Sequence, residues 1–143
     1  MSIKEYNLRV YGLLMYDNQV LVTYENRGGV LMTKFPGGGL DKGEGIADCL
    51  IREFQEELEI EITIKQFYYV NDFLQISAFN ASDQLISFYY IVETASLNQI
   101  PIDQFNENLP KGGQLFNWVS LDKLNPEDFT FLIDRIVAEK LVS

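Results

Sequence analysis

Glu53, Glu56 and Glu57 stand at i, i+3 and i+4 in the run Arg52-Glu53-Phe54-Gln55-Glu56-Glu57-Leu58. Helical residues at that spacing share a face within an arc of about 100°, with Cβ atoms roughly 5–6 Å apart. Three carboxylates so close repel one another and need solvent or a cation. Glu57 falls at the edge of the helix's apolar arc, where solvation is hardest to arrange. The chain has no histidine, which removes histidine-based zinc sites, Ser-His-Asp triads and Cys-His pairs together. Oxygen-only ligands then point to Mg²⁺ or Mn²⁺. Just N-terminal lies Pro36-Gly37-Gly38-Gly39-Leu40-Asp41-Lys42-Gly43-Glu44-Gly45, with five of the ten glycines of the protein. Such a loop can bring backbone groups to the same cation or to a phosphate.

Charge agrees with this placement. Eight acids between Asp41 and Glu61 face only Lys42 and Arg52, so that segment holds −6 of a net charge of −10. Concentrated negative charge suggests a cation site, although a solvated acidic helix has the same composition. No basic stripe offers itself to a long nucleic acid. One cysteine, Cys49, cannot form an internal disulfide and reads as a small packing residue in a reducing compartment. The longest apolar run, Phe88 to Val92, is too short to span a membrane, and residues 1–5 carry no signal-like apolar stretch. The expectation is a cytoplasmic protein with no membrane partner.

The elements that must position these residues follow from periodicity. Tyr6–Met15 and Val20–Glu25 read as a hairpin turning at Asp17-Asn18, and Val30–Phe35 as a short strand stopped by Pro36. Ile46–Leu58 is the best helix, with Ile46, Ala47, Leu50, Ile51, Phe54 and Leu58 on an apolar arc of roughly 140°. Ile60–Val70, Phe73–Phe79, Leu85–Thr94 and Gln114–Val119 read as strands, the middle two forming a hairpin near Ser82-Asp83. Pro101–Gly113 reads as a loop. A closing helix is expected from about Phe129 to Leu141, its apolar face built from Phe129, Leu132, Ile133, Ile136, Val137 and Leu141. The aromatics Tyr68, Tyr69, Phe88, Tyr89 and Tyr90 read as core, with stacking on a base as the alternative.

Gly38, five residues, Glu44, seven residues, then Arg52-Glu53-Phe54-Gln55-Glu56-Glu57-Leu58-Glu59-Ile60 resembles the signature box of the Nudix hydrolases. Every charged position of that box is present, and Pro36-Gly37-Gly38 is similar to its usual lead-in. One position departs: Glu59 stands where the family has glycine. A non-glycine residue in the left-handed exit from a helix costs about 1 kcal/mol.

The resemblance implies an α/β fold, a Nudix-type α/β/α sandwich with a mixed central sheet, as one domain over residues 1–143. It implies that Glu53, Glu56 and Glu57 bind the metal together with a backbone carbonyl near Gly38. Arg52 would orient a catalytic glutamate, with Glu44 a further metal-side or structural carboxylate. For Arg52 a plain i+4 pair with Glu56, and for Glu44 a helix-start carboxylate, are the alternatives. A catalytic base outside the box is expected on a loop. Glu107 is the candidate, a solvated loop acid the alternative, and without it the role passes to Glu56 or Glu53. The implied reaction is metal-dependent hydrolysis of a diphosphate linkage in a small nucleotide or nucleotide sugar, with long nucleic acids and capped RNA ignored. A homodimer is an admissible assembly. Two rivals stand beside this reading: a catalytically silent Nudix-like sensor and a structural Ca²⁺ site.

Overall fold

The structure, a computed structural model, describes residues 2–143. Seven strands and two longer helices follow one another as β1 (Glu5–Tyr16), β2 (Gln19–Arg27), β3 (Val30–Lys34), β4 (Gly37–Gly39), α1 (Ile46–Leu58), β5 (Thr63–Val70), β6 (Asp83–Glu93), β7 (Gln114–Ser120) and α2 (Leu132–Val142). The strands run β3-β2-β1-β6-β5, with β4 on β1 and β7 on β2. The sheet is mixed: β1 and β6 are parallel, and the other pairs are antiparallel. The β1–β2 turn uses Asp17 and Asn18 at φ 52° and 60°, the conformation that short Asx-rich hairpins favour.

Alternation along β1 assigns the two faces. Val10 and Leu14 pack with Cys49, Leu50, Phe54 and Leu58 of α1, whereas Leu13 packs with Phe35, Tyr89, Phe129, Ile133, Val137 and Ala138 on the α2 side. A side-chain period of two puts neighbours on opposite sides of the sheet, and each side carries one helix. Phe54 is the anchor of α1, fully buried with its ring over Gly12. Truncating such a side chain to Ala costs roughly 3–5 kcal/mol. Cys49 is the buried packing residue expected, while Ala47, in the first turn, and Ile51, at the rim of the predicted arc, are exposed.

Helix α1 has the predicted bounds. It begins after Gly45, whose N–H donates to the Asp48 carboxylate at 3.3 Å. It ends at Glu59, which takes the left-handed conformation (φ 55°, ψ 36°) and donates its N–H to the Gln55 carbonyl at 3.0 Å. The glutamate therefore adopts the geometry that glycine would supply, with the strain that entails.

Three expectations change. Residues 73–79 are not a strand, and β6 pairs with β5 and β1 instead of a hairpin partner. The buried Asn71 explains it, because its amide donates to the Phe73 and Leu85 carbonyls (both 3.1 Å) and accepts from the Ser87 N–H (2.8 Å). One side chain thus takes β6 groups that a neighbouring strand would need, leaving only the isolated bridge of Ile76 to Gln84. The glycine run is no mere loop: Gly37–Gly39 lie opposite Tyr11, Val10 and Arg9 as β4. Helix α2 starts at Leu132, after a 3₁₀ turn at Pro126–Asp128, and Phe129 reaches the core from the connection by stacking on Phe35 at 4.6 Å. Among the described residues no helix is long and apolar enough to cross a membrane.

Candidate active site

Arg52 is the centre of the box. Its guanidinium donates Nε to Glu44 Oε2 at 3.0 Å and Nη2 to Glu44 Oε1 at 2.7 Å, a two-pronged pairing. Nη1 reaches Glu53 Oε1 at 3.0 Å and both Glu56 oxygens at 3.2 Å, and Nη2 also reaches the Gly39 carbonyl at 3.0 Å. Charge-assisted forks of this kind hold orientation as well as charge. Arg52 thus pairs with Glu56 one turn on and also hydrogen-bonds the neighbouring Glu53. Hydrogen bonds from Arg52, with the Asp41 N–H added, hold the Glu44 carboxyl down to about 2.

Glu57 points the other way, into the sheet. Its Oε1 accepts from Gln114 Nε2 at 3.0 Å, and the same amide nitrogen lies 2.9 Å from Glu25 Oε1. Glu25 in turn pairs with the buried Lys34 at 3.2 Å. Glu57 Oε2 is buried with no hydrogen-bond partner among the described residues. Burial pushes this carboxyl up to about 7, against the pull of the Gln114 amide and Lys34. A buried oxygen with an open lone pair is costly unless something positive meets it.

Glu53 lies against the glycine strand. A Cβ on Gly38 would stand 2.5 Å from the Glu53 carboxyl carbon, so only glycine lets that carboxylate rest on the backbone. Gly37 has a positive φ of 151° and meets the Val10 carbonyl where a side chain would go. The lead-in glycines therefore serve close approach, one to β1 and one to the box carboxylate.

Beside Gly37–Gly39 and Glu53 opens a cavity of about 320 Å³. Arg9, Lys34 and Arg27 line it with Glu25, Tyr89, Phe79, Phe131 and Asp134. Arg9 donates Nε to the Tyr11 hydroxyl at 3.0 Å, and the Arg27 guanidinium sits 3.9 Å from the Phe79 ring centroid. The size is at the lower end of small-ligand pockets, about 300–1,000 Å³. Cations, a glycine edge and aromatic faces suit a phosphorylated compound with a ring.

A match to the NUDIX domain family model extends over residues 6–139. The chain belongs to the Nudix hydrolase family. The fold agrees: a MutT NUDIX hydrolase from Burkholderia pseudomallei superposes at a TM-score of 0.70 with 19% identity, covering 95% of this chain and 98% of that one. A NUDIX hydrolase from Nitrosomonas europaea gives 0.69 and 19%, covering 93% and 86%. In sequence, 55 residues are 46% identical to the mRNA-decapping protein OPG121 of Monkeypox virus, 38% of this chain but only 24% of that protein.

Of the expected Nudix box residues, Arg52, Glu44, Glu53 and Glu56 stand in one hydrogen-bonded group with the Gly39 carbonyl, and Gly38 abuts Glu53. Glu57 belongs to a second group with Gln114, Glu25 and Lys34. Among the described residues no three acidic or cysteine side chains are grouped as a ready metal cage; Arg52 and Gln114 hydrogen-bond the box carboxylates instead. The donor set still fits a hard divalent cation: oxygens only, one of them buried and unpartnered, beside a backbone edge. Glu107 is exposed in the 101–113 loop and does not line the cavity. Glu25, Lys34, Arg9, Gln114 and Asp134 carry no local sequence signal. Strand register brings in the first four, with Glu25 opposite Gln114 on β2 and β7, and the docking of α2 brings in Asp134.

Proposed function

We propose that this Nudix chain hydrolyses a diphosphate linkage in a small nucleotide or nucleotide sugar, using Mg²⁺ or, in its place, Mn²⁺. The observation that carries the reading is the buried, unpartnered Glu57 Oε2 on the helix that also presents Glu53 to the glycine edge of the cavity. Glu53, Glu56 and Glu57 would hold the ion, with a backbone carbonyl near Gly38. When bound, the ion would neutralise phosphate charge and lower the pKa of bound water. Arg52 holds Glu53 and Glu56 in place as charge shifts around them. Arg9 and Lys34 supply fixed positive charge on the cavity wall toward phosphate oxygens. Glu53, already on the cavity wall, is the nearer candidate for accepting a proton from the attacking water, and Glu107 needs its loop to move to share that role.

Substrate class follows from charge. The net −10 leaves little to displace counterions from a long polynucleotide, whereas a small substrate can be bridged to the acidic helix by its cation. The local likeness to a viral mRNA-decapping protein makes capped RNA the arm that tests this directly. A panel of nucleoside triphosphates, nucleotide sugars, dinucleoside polyphosphates and capped RNA, each assayed with and without chelator, decides the matter. Metal-dependent release of two phosphorylated products from a small compound is expected. Chelator-resistant turnover, or turnover confined to capped RNA, would overturn the reading.

A further inference from the structure

The face that β2 and β7 turn toward α1 carries Leu21 and Phe116, both buried against the helix. That face ends in a polar patch. A period of two keeps Thr23 and Glu25 on it, and register sets Lys34 opposite Thr23 and Gln114 opposite Glu25. One atom ties the patch to α1. Gln114 Nε2 lies 3.0 Å from Thr23 Oγ1, 2.9 Å from Glu25 Oε1 and 3.0 Å from Glu57 Oε1. The buried Thr23 hydroxyl gives its own hydrogen to the Leu115 carbonyl at 3.2 Å, so toward Gln114 it only accepts. Two amide hydrogens therefore serve three acceptors, two of them carboxylates. A glutamine that merely fastened the end of β7 would need a single partner, and enclosing acceptors that outnumber the donors is costly.

We propose that Gln114 is a positioning residue for Glu57. By holding Oε1 it leaves Oε2, the buried oxygen without a partner, turned out for a cation. The chemistry of the holder decides the rest. Lys34 already gives Glu25 its counter-charge at 3.2 Å. A second cation at position 114 would satisfy both carboxylates but would also cancel the charge of Glu57. An amide donates hydrogen bonds and brings no charge, so Glu57 stays oriented and still attracts a divalent ion. Removing a group that orients a ligand from behind typically costs about 10–100-fold in metal affinity or activity. The assignment rests on the reading of Glu57 as a ligand of the Mg²⁺ or Mn²⁺ that serves diphosphate hydrolysis.

Two substitutions separate positioning from plain support. Gln114→Met keeps the length and removes both donors, whereas Gln114→Lys keeps a donor and adds charge. Calorimetric titration of the full chain with MgCl₂ alone, repeated with MnCl₂, reads metal affinity without substrate, on variants whose metal-free melts are cooperative. Gln114→Met should bind about tenfold more weakly. Raising Mg²⁺ should restore its kcat, with the KM for the diphosphate unchanged. Gln114→Lys should bind more weakly still. Glu57→Gln removes the carboxylate through which Gln114 acts, so adding Gln114→Met to it should weaken binding by less than about twofold more. The same penalty in both backgrounds, or wild-type Mg²⁺ affinity in a folded Gln114→Lys protein, would overturn the assignment. The lysine variant keeps its own donor to Glu57, so the test survives a methionine variant that fails to fold. If the wild type needs Mg²⁺ and neither variant alters its affinity, the positioning role fails alone. If the wild type binds neither ion and cleaves no diphosphate, the functional reading fails with it.

Discussion

Glu44 and Asp134 are carboxylates at opposite extremes of the same site. Glu44 lies at the outer edge of the box, where a two-pronged arginine and a backbone N–H pull its carboxyl down to about 2. Asp134 is buried behind the cavity, where a single tyrosine cannot offset desolvation and the carboxyl rises to about 6. The box thus gathers charge by pairing it, and the cavity floor holds charge by enclosing it. Pairing lowers one carboxyl and enclosure raises the other, so the same group carries its charge in two opposite ways.

The sharpest way to break this contrast is at the box. Glu53→Gln and Glu57→Gln keep shape and remove charge, so kcat should fall by about 10²–10³-fold or more, with nucleotide affinity changed much less. Near-normal turnover in either variant, with the Mg²⁺ requirement unchanged, would remove that residue from the ligand set. The same carboxylates lead us to expect that Mg²⁺ raises the melting temperature with concentration, since only the folded chain assembles them. A flat melting curve from zero to millimolar Mg²⁺ would refute that coupling.

The two ends should also respond to pH with opposite signs. Asp134 binds its proton more tightly folded than unfolded, so it favours the folded state at low pH and costs stability as pH rises from about 4 through about 6. Asp134→Asn should therefore gain on the wild type over that window, by on the order of 2 kcal/mol at pH 7, read from denaturant midpoints across pH. A constant difference between the two proteins from pH 4 to 7 would contradict the enclosed charge. Glu44 behaves in reverse. Its contribution is present above its unfolded value of 4.5 and is lost as pH falls toward about 2. Glu44→Gln should lower stability by a constant amount at neutral pH, a deficit that closes as pH falls toward about 2, measured in chelator.

The smallest effect belongs to Glu59, whose positive φ is the geometry glycine prefers. Glu59→Gly should stabilise by up to about 1 kcal/mol with kcat unaffected, checked by thermal melts. A loss of stability would mean the glutamate side chain contributes more than its backbone strain costs.

What could be read from the chain beforehand divides along the same line. The box helix was legible to the residue because apolar spacing, a glycine before it and an acidic face coincide locally between Gly45 and Glu59. The cavity floor was not. Asp134 looks like one polar position on an amphipathic helix, and only the fold sets it against Tyr89, 45 positions earlier in the chain. Residues 73–79 misled for a related reason. Their aromatic and β-branched content signals burial, which part of the segment finds on the cavity wall, while Asn71 takes the hydrogen bonds a strand would have made. Pairings such as Glu25 with Gln114 depend on register across distant strands, which composition does not encode.

The parallel pairing of β1 with β6 governs how the molecule must assemble. It runs in constant register from Glu5 beside Asp83 to Leu14 beside Val92, so the first strand waits for a partner made much later. A ribosome releasing the chain from its N-terminus exposes the early hairpin and the acidic helix before β6, the strand that joins β1 to β5. Closing so long a loop is entropically expensive and slow. The nascent hairpin is held until then by its own turn and by β3, and the apolar face of α1 is the surface most in need of shelter during synthesis.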